Sequence, residues 1–269
     1  MVESNGELSP PTVLYEVRDA IAYVTLNRPE AMNAMNSQLL EELSSAMDLA
    51  IADTGIRAIV LSGSGERAFS AGADLKAHQK EGMMHDAGKH LEFSALLRDL
   101  FVKIEQAPVP TIAVVRGYAL AGGLELALCC DLILCSDDAQ IGDQHANRFL
   151  IPGGGGTQRL PRRIGHQKAM ELLFTGRRLT GKEAVEYGLA LRSYPSSELN
   201  DGVEELVAQL RPKSRTGMRF TKELVQRGSE MPMREALDLE RLVVQEYFSC
   251  YPDATGGVAA FNAERPGTQ

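Results

Sequence analysis

GYALAGGLELALCCD, residues Gly117–Asp131, carries more of the fold and of the chemistry than any other stretch of this chain of 269 residues. The apolar run TIAVV (Thr111–Val115) before it reads as a strand, and Gly122–Cys130 reads as a helix that starts from a bare glycine pair. Glu125 falls three residues after Gly122, one turn into that helix. A helix start offers unpaired N–H groups and a positive dipole end, which suits an oxyanion. A carboxylate in so apolar a segment is costly to bury unless it has a partner or a task. The structural alternative is a glutamate that simply reaches solvent from a helix N-terminus.

AFSAGADLK, Ala68–Lys76, repeats the arrangement after a second apolar strand, RAIVLSG (Arg57–Gly63). The small residues Ala71, Gly72 and Ala73 let a ligand approach main-chain N–H groups closely. Two strand-to-helix turns of this kind can each supply one N–H to the same carbonyl oxygen. Further outward lie LNRPEAMNAMN (Leu26–Asn36), IPGGGGTQRLPRRIG (Ile151–Gly165) and ELLFTGRRLTGKEAVEYGL (Glu171–Leu189). These five collinear blocks, spanning most of Thr12–Pro195, resemble the enoyl-CoA hydratase/isomerase (crotonase) superfamily.

Val13–Val17 and Ile21–Leu26 read as strands, and Ser37–Ala52 as a helix with Leu39, Leu43, Met47 and Ile51 on one face. Ala77–Lys89 reads as a variable loop shaping the pocket. Leu91–Ile104 is a helix ended before Pro108, and Leu132–Cys135 a further strand. Thr180 and Glu183 have capping-box spacing. Beyond Pro195 the chain turns helical, with a stripe at Val203, Leu206, Val207 and Leu210 and another from Met233 to Tyr247. The residues alone give an α/β core. The resemblance implies a crotonase-type spiral of ββα turns over residues 1–195 and a C-terminal α-helical trimerisation and lid region over 196–269.

The resemblance also implies the site. Its oxyanion hole is the main-chain N–H groups of Ala73 and Gly122, and Glu125 is the principal acid/base group. Gly153 and Asp143 position water or substrate, while Ala31, Ala71, Asp74, Leu75 and Lys76 bind the CoA. The superfamily's hydratases use a second glutamate seven residues before the proline of the IPG block, and here that position is His145. Three readings of His145 stand open: a second proton-transfer group, an orienting group beside Glu125 or Asp143, or a structural histidine. Arg159, Arg162 and Arg163 are expected as interface or surface cations.

The expected activity is hydration or double-bond isomerisation of an enoyl-CoA thioester, with CoA as part of the substrate and no metal or redox cofactor. The alternatives are other enolate chemistry, such as retro-Claisen hydrolysis or decarboxylation, and a non-catalytic acyl-CoA-binding scaffold. A serine hydrolase is disfavoured because no G-x-S-x-G occurs. The net charge of −8 argues against nucleic acid as a partner. No apolar run approaches the roughly 18 residues of a membrane span. Cys129, Cys130, Cys135 and Cys250 lack C-x-x-C spacing and read as free thiols, which with the polar N-terminus and the C-terminal PGTQ points to the cytoplasm. The expected assembly is a homotrimer or a dimer of trimers.

Overall fold

The computed structural model describes residues 10–83 and 86–264. Most of the acidic N-terminal segment, Met84 of the expected loop and the C-terminal PGTQ lie outside the described residues.

The chain opens with an antiparallel pair, β1 (Val13–Arg18) and β2 (Ile21–Leu26), followed by α1 (Ser37–Ala52). The Asn36 side chain caps α1 by accepting the Leu39 amide at 3.0 Å. Its apolar face, Leu39, Leu40, Leu43, Ala46, Met47 and Ala50, is buried as the sequence period requires. Next come β3 (Ala58–Gly63), β4 (Ala68–Ser70), α2 (Leu75–Lys80) and α3 (Ala87–Glu105). The segment expected as a loop is therefore mostly helical at both ends. Asp74 caps α2 and Asp86 caps α3, signals that the polar, glycine-containing sequence around them hides.

A third turn supplies β5 (Thr111–Val115), β6 (Tyr118–Leu120) and α4 (Gly122–Leu128), and a fourth β7 (Leu132–Ser136) and β8 (Gln140–Gly142). After α5 (Gly156–Ile164) and α6 (His166–Thr175) come β9 (Leu179–Thr180), α7 (Gly181–Tyr187) and β10 (Arg192–Tyr194). The Thr180–Glu183 capping box is formed at the start of α7.

The first turn keeps both strands in one sheet, whereas the second, third and fourth each give their first strand to that sheet and their second to another. The larger sheet runs β1-β2-β3-β5-β7-β10 and the smaller β4-β6-β8-β9. From β2 to β10 the larger sheet is parallel, and its central strands β3, β5 and β7 are largely apolar on both faces. Ile59 and Leu61 of β3 face the main core, whereas Ala58 and Val60 face α8 (Leu199–Leu210) through Leu199, Val203 and Val207.

The chain ends in α9 (Arg215–Gly228), α10 (Met233–Cys250) and α11 (Pro252–Glu264). Lys222 of α9 reaches Asp131 at 2.7 Å, and Gln226 donates to the Glu105 carbonyl at 2.9 Å. Tyr247 of α10 packs edge-on against Phe220. The rest of the α10 stripe is open: Met233, Leu237 and Val244 are all exposed, and Val243 is the buried residue of that helix.

Candidate active site

The smaller sheet builds the site. Strands β4, β6 and β8 are parallel neighbours, so the segments leaving their carboxyl ends emerge side by side. These segments are Ala71–Ala73, Ala121–Gly122 and Asp143–His145, read from three distant parts of the sequence.

The first turn is tied down by the LNRPEAMNAMN block. Met35 forms a parallel bridge with Ala73, donating to the Gly72 carbonyl at 2.8 Å and accepting the Asp74 amide at 2.9 Å. Asn33 is fully buried and donates to the carbonyls of Ser64 and Ala68. Gly72 has φ +93, and a Cβ there would stand 2.9 Å from the Gly122 amide nitrogen. The two turns thus touch through glycine. Among the described residues, neither the Ala73 nor the Gly122 amide has a hydrogen-bond acceptor. Ala121, which starts α4, is held at φ 49 and ψ −117, a strained conformation for alanine.

Glu125 is buried in the first turn of α4. Its Oε1 accepts the amides of Gly154 and Gly156, both at 2.8 Å. Among the described residues Oε2 takes no hydrogen bond. Burial raises the carboxyl pKa above its ordinary value, against the pull of those amides and of His145. Such a group is a stronger base than a solvated glutamate. The glycine run is a packing requirement: a Cβ on Gly154 would stand 2.7 Å from Oε2, and one on Gly156 would stand 3.1 Å from Oε1. A Cβ on Gly153 would meet nothing within 4 Å.

The Asp143 carboxylate meets His145 Nδ1 at 2.9 and 3.0 Å and accepts the His145 amide at 3.0 Å. A carboxylate so placed makes Nδ1 the protonated nitrogen and leaves Nε2 for other work. Burial lowers the imidazole pKa, but the hydrogen bond and charge of Asp143 and the charge of Glu125 outweigh it, so the net shift is upward.

Glu125, His145, Ala73, Gly122 and Gly153 line one cavity of about 570 Å³. Ala71 and Leu75 also line it. Ala31 sits in a short 3-10 turn, Lys76 is exposed, and Asp74 pairs with Arg28 at 2.9 Å while capping α2. These three stand outside the cavity wall. A larger cavity of about 760 Å³ lies between the core and α9, and none of the expected catalytic, oxyanion-hole, positioning or CoA-binding residues lines it.

Family comparison fits this geometry. The model of the family described as "Enoyl-CoA hydratase/isomerase" matches residues 16–267. The chain belongs to the enoyl-CoA hydratase/isomerase family. It is 38% identical over 254 residues to a Mycobacterium tuberculosis protein named "Probable enoyl-CoA hydratase", covering 94% of this chain and 96% of that one. It is 33% identical to the short-chain-enoyl-CoA hydratase of Clostridium acetobutylicum over 94% of this chain and 95% of the relative. The crystal structure of enoyl-CoA hydratase from Bacillus anthracis superposes with a TM-score of 0.89 at 32% identity, covering 94% and 97% of the two chains.

Within this family fold, Gly154 and Gly156 are the site residues that a reading of the sequence misses, although the four-glycine run was the signal. Arg159 corrects the expectation of a surface cation. It forks onto Glu105 at 3.1 and 2.8 Å and donates to the Gly154 carbonyl at 3.0 Å, bracing the loop that holds Glu125. Arg163 also turns inward, donating to the carbonyls of Leu128, Cys130 and Asp131 near the end of α4. Only Arg162 of the three is exposed.

Proposed function

We propose that this family member is an enzyme that hydrates an enoyl-CoA thioester, with Glu125 as base, His145 as acid and the Ala73 and Gly122 amides as oxyanion hole. The observation that carries the proposal is the pairing, in one cavity, of a buried glutamate with an Asp143-held imidazole. Oε2 of Glu125 takes a proton from water as the water oxygen bonds to C3 of the enoyl group. The C2–C3 π electrons move onto the thioester oxygen, which the two amides stabilise as an enolate. Nε2–H of the imidazolium then protonates C2, and proton return from Glu125 to His145 resets the site. Atoms balance as addition of one water. No metal or redox group enters, and CoA arrives with the substrate.

The second proton-transfer group favours hydration over double-bond isomerisation. A 1,3-proton shift needs one base that carries the proton from carbon to carbon. Hydration needs one group to activate water and another to deliver a proton. His145 stands where the superfamily's hydratases carry their second glutamate, and Asp143 fits the role of positioning it. Gly153, lining the cavity beside Glu125, fits the role of holding the water.

The exposed apolar stripe of α10 supports a homotrimer or a dimer of trimers, with residues 196–269 as the assembling region over a 1–195 catalytic core. Burial pushes the Cys130 and Cys135 thiols up to about 12, so they rest as inert thiols, which suits a reducing cytoplasm. No helix among the described residues is long and apolar enough to cross a membrane.

The deciding experiment follows consumption of short enoyl-CoA esters by wild type, His145→Ala and His145→Glu. Wild type should hydrate, and the alanine variant should lose on the order of 10²–10⁴-fold in kcat while still binding the ester. A glutamate variant far more active than wild type would show that hydration is not the native reaction.

A further inference from the structure

Consecutive glycines make the least rigid support a catalytic side chain can have, yet the run Gly153–Gly156 is what holds Glu125. Side chains cannot stiffen the run from within. A Cβ on Gly154 or Gly156 would crowd the Glu125 carboxyl, and one on Gly155, at φ +97, would run into Arg159 Nη1. Rigidity has to come from outside, and the Arg159 guanidinium is placed to supply it. The two amides that Glu125 Oε1 accepts belong to the Gly153–Gly154 and Gly155–Gly156 peptide units. Arg159 Nη1 donates at 3.0 Å to the Gly154 carbonyl, which belongs to the unit between them. Its Nε and Nη2 close a bidentate pair with Glu105, the last residue of α3. The Glu105 carbonyl accepts Gln226 of α9, so the anchor sits on packed helices rather than on the loop. Arg159 takes no part in the wall of the catalytic cavity.

We propose that Arg159 is a positioning residue for the reaction. Clamped to Glu105, it fixes the Gly154–Gly155 peptide so that both flanking amides stay on Oε1 and Oε2 stays free to take the proton of water. The proposal rests on the reading of Glu125 as the base. The role needs the fork of an arginine: one guanidinium spans both Glu105 oxygens and a carbonyl, whereas an ammonium has no planar fork with which to do so. The fork also bears on the protonation of the base. Burial raises the Glu125 pKa and the two amides pull it down, so a loosened loop sends it further up. A base with a higher pKa is lost to protonation at higher pH, which moves the acid limb of the pH–rate profile upward.

The test compares the full chain with Arg159→Lys, which keeps the charge and loses the fork, and with Glu105→Gln, which weakens the anchor. Melting curves establish that each variant is folded at the assay temperature. In Arg159→Lys, kcat for a short enoyl-CoA ester should fall roughly tenfold or more while KM stays within about twofold of wild type. Its acid limb should move to higher pH. Glu105→Gln should shift both quantities in the same direction and by less, because the amide oxygen still accepts one arm of the fork. NMR titration of the isotopically labelled Glu125 carboxyl, its signal identified by its loss in Glu125→Gln, reads the same upward shift without turnover. The proposal is overturned if the carboxyl titrates alike in wild type and Arg159→Lys, or if the lysine variant keeps wild-type kcat. If wild type hydrates no ester, the hydration reading fails, a separate outcome, and the titration still decides whether Arg159 seats Glu125.

Discussion

Both oxygens of Asp143 lie within hydrogen-bonding distance of His145 Nδ1, and the same carboxylate accepts the His145 amide. Two residues apart at the carboxyl end of β8, they form one unit: a buried anion that fixes the tautomer and orientation of a half-buried imidazole. Glu125 also acts on that imidazole by charge, so the protonation of His145 and that of Glu125 are linked.

Asp143→Asn removes the charge that raises the His145 pKa above its ordinary 6.5. A raised histidine pKa stabilises the fold fully below about pH 6.5 and loses that contribution as pH climbs through the folded value. The variant should therefore lose thermal stability relative to wild type in acid and approach it on the alkaline side. With the imidazolium as acid, hydratase activity falls as pH rises through the same pKa, and in Asp143→Asn that fall should move to lower pH. Melting and pH–rate profiles of both proteins check the two signs; an unmoved alkaline limb removes His145 from the chemistry.

Glu125→Gln should separate activity from stability. Loss of the base costs roughly 10²–10⁴-fold in kcat. The Glu125 pKa is raised above its ordinary 4.5, so its favourable contribution to folding is present below that value and is lost as pH rises through the folded one. At neutral pH the buried carboxylate is a burden, and a glutamine oxygen still accepts the Gly154 and Gly156 amides. The variant should melt at or above the wild-type temperature at pH 7 and lose that advantage near pH 4.5. A variant less stable at every pH would contradict the burial argument.

Gly154→Ala and Gly153→Ala make a matched pair. The new methyl at 154 would stand 2.7 Å from Glu125 Oε2 and 2.9 Å from Phe101 Cε2, whereas at 153 it meets nothing within 4 Å. Displacement of the carboxyl should cost on the order of 10²-fold in kcat at 154, and little at 153. Equal losses at the two positions would point to loop flexibility rather than to the seat of Glu125.

The open face of α10 predicts assembly. Leu237→Asp combined with Val244→Asp places charges on residues that are exposed in the single chain, at 56% and 44%, and so should leave the protomer folded. Sedimentation should show wild type as a trimer or hexamer and the double variant as a smaller species with native circular dichroism. Identical sedimentation would move the interface off this helix.

How much was legible varies by residue. The bounds of α1 and β5 follow from side-chain period, because the Leu39–Leu43–Met47 stripe and the all-apolar TIAVV run act through neighbours in sequence. The helix around Leu91–Ile104 was legible in its apolar middle but not at its start, where the Asp86 cap extends it to Ala87. At the site, Glu125 and Gly122 stood out because each breaks a local pattern, a charge in an apolar helix or a glycine where a side chain is expected, whereas Ala73 was picked out only by the resemblance of its block.

By itself the sequence determined elements such as α1 and β5, that Glu125 is costly to bury without a partner or a task, and that His145 stands seven residues before Pro152. Those are properties of short windows, set by backbone propensity, side-chain period and the cost of burying charge. The tertiary structure alone decided which groups meet. Parallel pairing of β4, β6 and β8 brings Ala73, Gly122 and His145 to one edge, across separations no local rule spans. Close packing of Gly154 and Gly156 against Glu125, Arg159 folded inward onto Glu105, and His78 held against Phe93 likewise depend on volumes and directions that exist only once the sheets have formed.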